Sequence, residues 1–244
     1  MTMVRTVLAI AASQGWPLQQ LDVKNAFLHG DLNKDIYMTP PPSLLFSSTL
    51  EVCKLNRSLY GLKQAPRAWF EKFHSSLLQF KLVQSQYDSS LFLRKTSTGI
   101  VLLLVHVDDI VITGTDLLLI TQLEQHLRQS FHMKDLGHLT YFLGLEVQTD
   151  SSGISLHQHK YIQDLIVLAG LQDSSSVYTP LEVNVKYHTA EGEILSDPLL
   201  YRQLVGSLNY PTITRPDISF AVQQVRQFMH SPRHLHLAAV RRVI

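Results

Sequence analysis

The chain has 244 residues, a formal net charge of +1, 45% apolar residues and 17% charged ones. That composition supports a packed core in one large domain or two small ones, and it excludes a disordered or low-complexity chain. The near-zero charge confines any nucleic-acid contact to local patches. The single cysteine, Cys53, excludes an internal disulfide framework and fits a reducing compartment, and no run reaches the ~18 apolar residues of a membrane span.

In chain order, residues 4–12 read as an amphipathic helix ending near Gly15 and Pro17. Arg5 before VLAIAA has a faint signal-peptide look, but the run is short and no cleavage site follows, so secretion is not expected. The Asn56-Arg57-Ser58 sequon therefore carries no weight. Residues 18–23 suggest a strand that delivers Asp22 to its end, with 25–28 turning away; a helix capped by Asp22 is the other reading. Residues 30–50, with Pro40, Pro41 and Pro42, read as loop, and 53–55 as a short strand. In RSLYGLKQAPRAW (57–69), Arg57, Lys63 and Arg67 alternate with Tyr60 and Trp69. That mixture suits a phosphate backbone with stacked bases, or a solvated basic loop before a helix. Residues 65–81 have a helical apolar face of Trp69, Phe70, Phe73, Leu77, Leu78 and Phe80.

Strands are expected over 90–94, 101–107, 110–113, 139–148 and 154–156, and helices over 116–131 and 158–169, the last ending at Gly170. Residues 173–198 are polar and irregular; 199–244 are mostly helical, broken around Pro211 to Pro216. The H-x-H pairs His157/His159 and His234/His236 lack Cys or carboxylate company at a zinc spacing.

The central stretch is VLLLVHVDDIVITG (101–114), two apolar β-branched runs around Asp108 and Asp109. A turn must lie at the aspartates, because a charged pair is not buried unpaired without a large desolvation cost. The pair is either the polar tip of an ordinary hairpin or part of a divalent-metal site, since close carboxylates repel unless a cation neutralises them. Asp22, at a strand end, would be the third carboxylate.

These stretches resemble the reverse transcriptase region of copia-type retrotransposon polyproteins. The resemblance is carried, in order, by QLDVKNAFLHGDL (20–32), VCKLNRSLYGLKQAPRAWF (52–70), DSSLF (88–92), LLVHVDDIVITG (103–114), FHMKDLGHLTYFLGLEV (131–147), LVGSLNYPTITRPDISFAV (204–222) and FMHSPRHLH (228–236). It implies an α+β right-hand polymerase fold. Partial fingers and palm would occupy 1–172, a linker 173–198, and an incomplete helical thumb or connection segment 199–244.

The resemblance also implies chemistry. Asp22, Asp108 and Asp109 would be catalytic and, with the Val23 carbonyl, would hold two Mg2+ or Mn2+ ions. Asn25 and Ala26 would face the nucleotide phosphates, Phe27 would exclude a ribose 2'-hydroxyl, and Tyr60 and Gly61 would lie along the nucleotide. Lys63 and Arg67 would contact template or primer, as would a primer-grip hairpin at Tyr141, Phe142, Leu143 and Gly144. The implied partners are an RNA or DNA template with its primer, a dNTP, and the remaining polyprotein parts: fingers strands with the triphosphate grip, RNase H, protease and integrase. The implied setting is a cytoplasmic virus-like particle, with no membrane. Two positions depart from the family pattern: His106 stands where Tyr is usual, and Pro211 where Leu is usual, in a presumed helix it would kink. An inactive retroelement remnant, at most binding nucleic acid or a partner, and a different two-metal enzyme on a related palm are the alternatives.

Overall fold

The structure, a computed structural model, describes residues 2–41, 52–151, 153–182, 185, 187 and 192–244. The Ser-rich piece 43–49 and Pro42, the last residue of the Pro run, therefore lie outside the described residues. The chain divides into two compact units, 1–143 with 149–154, and 144–148 with 155–244.

The first unit opens with helix α1 (Thr2–Gln14) and strand β1 (Leu18–Val23), followed by a 3-10 turn, Ala26–His29. A small ladder of β2 (Tyr37–Met38) and β3 (Cys53–Lys54) precedes helix α2 (Ala65–Gln79), which has Pro66 in its first turn. Proline is tolerated there because the missing N–H has no intrahelical partner anyway. Then come β4 (Val83–Gln84), β5 (Leu91–Lys95), β6 (Ile100–His106), β7 (Asp109–Gly114), helix α3 (Leu117–Ser130) and β8 (Met133–His138). Asp116 caps α3 by accepting from the Leu119 N–H at 3.0 Å and also holds the Thr96 and Thr98 hydroxyls.

Six of these strands form one antiparallel sheet in the order β4-β5-β6-β7-β1-β8. Alternation along the strands decides its faces. Leu21, Val23, Val101, Leu103, Val105, Ile110 and Ile112 share a core with Trp69, Phe73 and Leu77 of α2 and Leu119, Leu123 and Leu127 of α3. Leu18, Gln20, Leu102, Leu104, Val111 and Thr113 alternate with them and are buried as well. The central strands are thus covered on both faces, which is why β6 and β7 read as unbroken apolar runs. Leu78, expected on the α2 apolar face, is 47% exposed.

Two expectations change here. The run 139–148 is not one strand. It is β9 (Tyr141–Phe142) and β10 (Leu145–Asp150) around Leu143 and Gly144, both at positive φ (50° and 76°), as a two-residue hairpin turn of the primed kind demands. β10 pairs with β11 (Gly153–His157) to complete a three-stranded sheet with β9. The residues of β8, by contrast, gave no strand signal, because MKDLGH lies at a sheet edge with little to bury.

The second unit carries helices α4 (His159–Ala169), α5 (Leu199–Leu208), α6 (Ser219–Arg226) and α7 (His234–Val243). Leu165 and Ala169 of α4 share a core with Tyr201, Leu204, Val205, Val222, Val225 and Val240, so compactness divides the chain well before 172/173. The Tyr201 hydroxyl, raised in pKa by burial, donates to the Val225 carbonyl at 2.5 Å. His236 is fully buried and stacked on Phe228 at 3.9 Å, and its Nδ1 accepts the Arg233 N–H. Pro211 does not kink a helix: α5 ends at Leu208, and Pro211 begins a separate 3-10 turn, Pro211–Ile213.

Phe73 is completely buried at the centre of the first core, so Phe73→Ala should lower the unfolding free energy by about 3–5 kcal/mol. Urea titration followed by tryptophan fluorescence reads this directly, since Trp16 and Trp69 both lie in the first unit. Tyr87→Ala, at a 93% exposed site, should stay within about 0.5 kcal/mol of the parent.

Candidate active site

The site begins with strand register. β1 and β7 pair so that Asp22 stands opposite Asp109, and β6 and β7 pair so that His106 stands opposite Asp109. Directly opposed residues of an antiparallel pair project to one face with Cβ atoms about 5 Å apart. Leu21 and Ile110 beside them point into the core, which turns both aspartates to the other face.

Val107 and Asp108 form the hairpin turn, two residues long, with Asp109 as the first residue of β7. Val107 has a φ of +59°, a left-handed conformation that costs a β-branched residue about 1–3 kcal/mol. Two hydrogen bonds hold the turn. The Trp69 indole N–H donates to the Val107 carbonyl at 2.8 Å, and the Val23 N–H donates to the Asp108 carbonyl at 2.9 Å. The second bond ties the end of β1 to the tip of the hairpin, and with it Asp22 to Asp108.

The charges of the other two carboxylates are felt at Asp109. Burial pushes the Asp109 carboxyl above its ordinary value, and the charges of Asp108 and then Asp22 push it further. A hydrogen bond from Gln20 and the nearby His106 pull the other way without cancelling the rise. Such a set of hard oxygen donors, crowded by mutual repulsion, fits a divalent cation in donor type and charge. Among the described residues no three His, Cys, Asp or Glu side chains already stand as a ligand cage.

Beyond β1 the chain turns at Asn25, in the left-handed conformation (φ 52°, ψ 48°), into the 3-10 turn. Phe27 packs half-buried on the core with its ring 4.9 Å from that of Tyr60, which is 56% exposed. Gly61 follows with φ +91°, so the chain after Tyr60 adopts a shape that favours glycine. Thus Phe27 and Tyr60, from separate motifs, meet at one place.

A profile of the family described as reverse transcriptase (RNA-dependent DNA polymerase) matches residues 1–183. The chain belongs to the reverse transcriptase family. The whole chain is 44% identical to part of the retrovirus-related Pol polyprotein from transposon RE1 of Arabidopsis thaliana, and 38% identical to part of that from transposon TNT 1-94 of Nicotiana tabacum. The transposon relatives are of copia type, and the chain spans 17% and 19% of their lengths. It is also 31% identical to the putative transposon Ty5-1 protein YCL074W of Saccharomyces cerevisiae, with 92% of this chain and 74% of that one aligned. No solved structure matches the chain significantly.

The other expected site residues of this reverse transcriptase chain lie on α2, just before it, and on the β9 hairpin. Lys63, just before α2, and Arg67, in its first turn, are exposed, and Arg67 pairs with Glu71 at 2.7 Å. Tyr141 is half-exposed and Phe142 buried, on the strand that leads into the Leu143–Gly144 turn. Two residues that sequence reasoning passed over belong at the site. Gln20 is 5% exposed, bonds Asp109 and donates to the Tyr141 carbonyl at 2.9 Å. Its only signal was a polar residue in step with Asp22 on a strand. Lys134 of β8 stands opposite Asp22 in register, which puts both side chains on one face of the sheet. It was invisible because β8 itself was not expected. His106, the departure from the family pattern, is an exposed residue at the last pair before the turn.

The raised Asp109 pKa fixes the sign of a pH effect. The folded chain keeps this proton to higher pH than the unfolded chain. Stability is therefore lost as pH rises from the ordinary Asp range near 4 through the raised folded value. Asp109→Asn removes the penalty, so its stability advantage over the parent should widen between about pH 4 and pH 7. Urea unfolding at several pH values measures this, and a constant difference would refute it.

Proposed function

We propose that the first unit is the catalytic palm, with part of the fingers, of an RNA-directed DNA polymerase that extends a primer 3'-hydroxyl with dNTPs on an RNA or DNA template. The helices of the second unit would be the thumb or connection segment. The observation that carries the reading is the crowding of Asp109 by Asp108 and Asp22 at the joined ends of β1 and the β6–β7 hairpin. Asp22, Asp108 and Asp109, with the Val23 carbonyl, would hold two Mg2+ or Mn2+ ions, the carboxylates rotating into a cage as the ions neutralise them. When bound, the ions supply a lowered pKa at the primer hydroxyl and charge stabilisation for in-line transfer.

The remaining residues would bind and orient. Backbone N–H groups around Asn25 and Ala26 would meet the phosphates, as left-handed turns next to a helical turn often do. Phe27, braced by Tyr60, would close the space beside the sugar against a 2'-hydroxyl, with Gly61 allowing close approach. Lys63 and Arg67 would meet a template or primer phosphate backbone, and Tyr141, Phe142, Leu143 and Gly144 would position the primer end. Among the described residues no helix is long and apolar enough to cross a membrane. The intracellular, particle-borne setting and the other polyprotein parts as partners follow from the family reading.

Two tests address this. The chain grafted in place of the matching segment of the RE1 polyprotein should extend oligo(dT) on poly(rA), and Asp108→Asn in the graft should abolish extension; equal extension by both would refute the assignment. In the same graft Phe27→Val should raise the ratio of ribonucleotide to deoxyribonucleotide incorporation. An unchanged ratio would make Phe27 a core aromatic only.

A further inference from the structure

Taking Asp22, Asp108 and Asp109 as the metal site proposed above, we infer that Trp69 and His29 are positioning residues for it. One aromatic cluster beneath the site holds both carboxylate-bearing segments, through hydrogen bonds to main-chain carbonyls.

The geometry is specific. Trp69 is 2% exposed, and its indole N–H reaches the Val107 carbonyl at 2.8 Å. His29 Nε2 lies 3.2 Å from the Lys24 carbonyl, to which only its N–H form can donate. Val107 opens the turn that presents Asp108 and Asp109; Lys24 follows Asp22 by two residues. The two rings belong together: Trp69 and His29 lie 5.9 Å apart by centroids, and both meet Phe131 edge-on, at 5.2 and 5.5 Å. Their relative placement is set by backbone contact, since a Cβ on Gly30 would come within 2.8 Å of the Trp69 main-chain nitrogen. Burial chiefly lowers the His29 pKa, with nearby His132, Arg57 and Lys72 adding to it, against the pull of the Lys24 carbonyl.

A positive φ at Val107 is a strained state that persists only where surroundings enforce it. Here the Trp69 bond and the Val23–Asp108 bond on the adjoining carbonyl hold it. Without the indole N–H the turn retains its sequence and its strand pairing but loses the contact that opposes its strain. Groups that hydrogen-bond a metal ligand typically change metal affinity 10–100-fold when lost; Trp69 and His29 act one step further out, on carbonyls of the residues next to the ligands, so an effect at the lower end follows.

The test uses the full chain with tryptophan 69 replaced by β-(benzothiophen-3-yl)alanine, which keeps the ring shape and deletes the N–H, alongside Trp69→Phe and His29→Phe. Two readouts are taken: Mn2+ affinity from the electron paramagnetic resonance of free Mn2+, and hydrogen exchange of the Val23 amide. The expected result is a Mn2+ Kd raised about tenfold or more in the isosteric variant. Val23 exchange should quicken roughly threefold to tenfold, as loss of one hydrogen bond implies, while the Leu103 amide in β6 is unchanged. Parent-like Mn2+ affinity and Val23 exchange in the isosteric variant would overturn the inference. Asp108→Asn separates the two levels. If it binds Mn2+ as the parent does, the metal-site reading fails, whereas the Val23 exchange still decides whether Trp69 holds the turn.

Discussion

Asp22 and Asp109 face each other because Leu21 and Ile110, their neighbours in the same register, both have to face the core. Side chains alternate along a strand, so a slip of one residue would turn the carboxylates into the core under α2 and α3 and take the leucine and isoleucine out of it. The desolvation cost of that arrangement forbids it. Hydrophobic pairing, not attraction between polar groups, therefore assembles the charged site. The last bond of the ladder, from the Val23 N–H to the Asp108 carbonyl, brings in the third carboxylate.

The site opposes the stability of the fold that makes it. Three like charges meet at one sheet end, Asp109 is partly desolvated, and Val107 sits in a conformation its side chain disfavours. These costs lie beside a buried aromatic cluster, where Trp69, Phe73 and Phe131 pack against one another. The aromatic core offsets the strain and orients what it supports, because its polar edges, the Trp69 indole and the His29 imidazole, are turned to carbonyls of the two carboxylate-bearing segments. A cation arriving at the site would relieve repulsion that is already present, so binding and folding would be coupled in the same direction.

Much of this was legible in the amino-acid sequence. The apolar β-branched runs on either side of Asp108 and Asp109 could only be a buried hairpin with its turn at the charges, and they are. The helices at α2, α3 and α4 followed from 3.6-residue periodicity, with Pro66, Asp116 and Gly170 marking their ends. The motifs themselves carried the family. These signals are local: each depends on residues within a turn or two of one another.

What only the tertiary structure decided is non-local. MKDLGH has no apolar alternation, and it becomes a strand because β1 offers it a free edge; with it Lys134 arrives opposite Asp22. Gln20 is a plain polar residue until burial places its amide between Asp109 and Tyr141. Trp69 looks like one more core aromatic, and no spacing in the sequence connects it to Val107, 38 residues away. Periodicity reports which face a side chain takes, whereas the partner of a buried N–H depends on which distant carbonyl the packed core leaves within 3 Å of it.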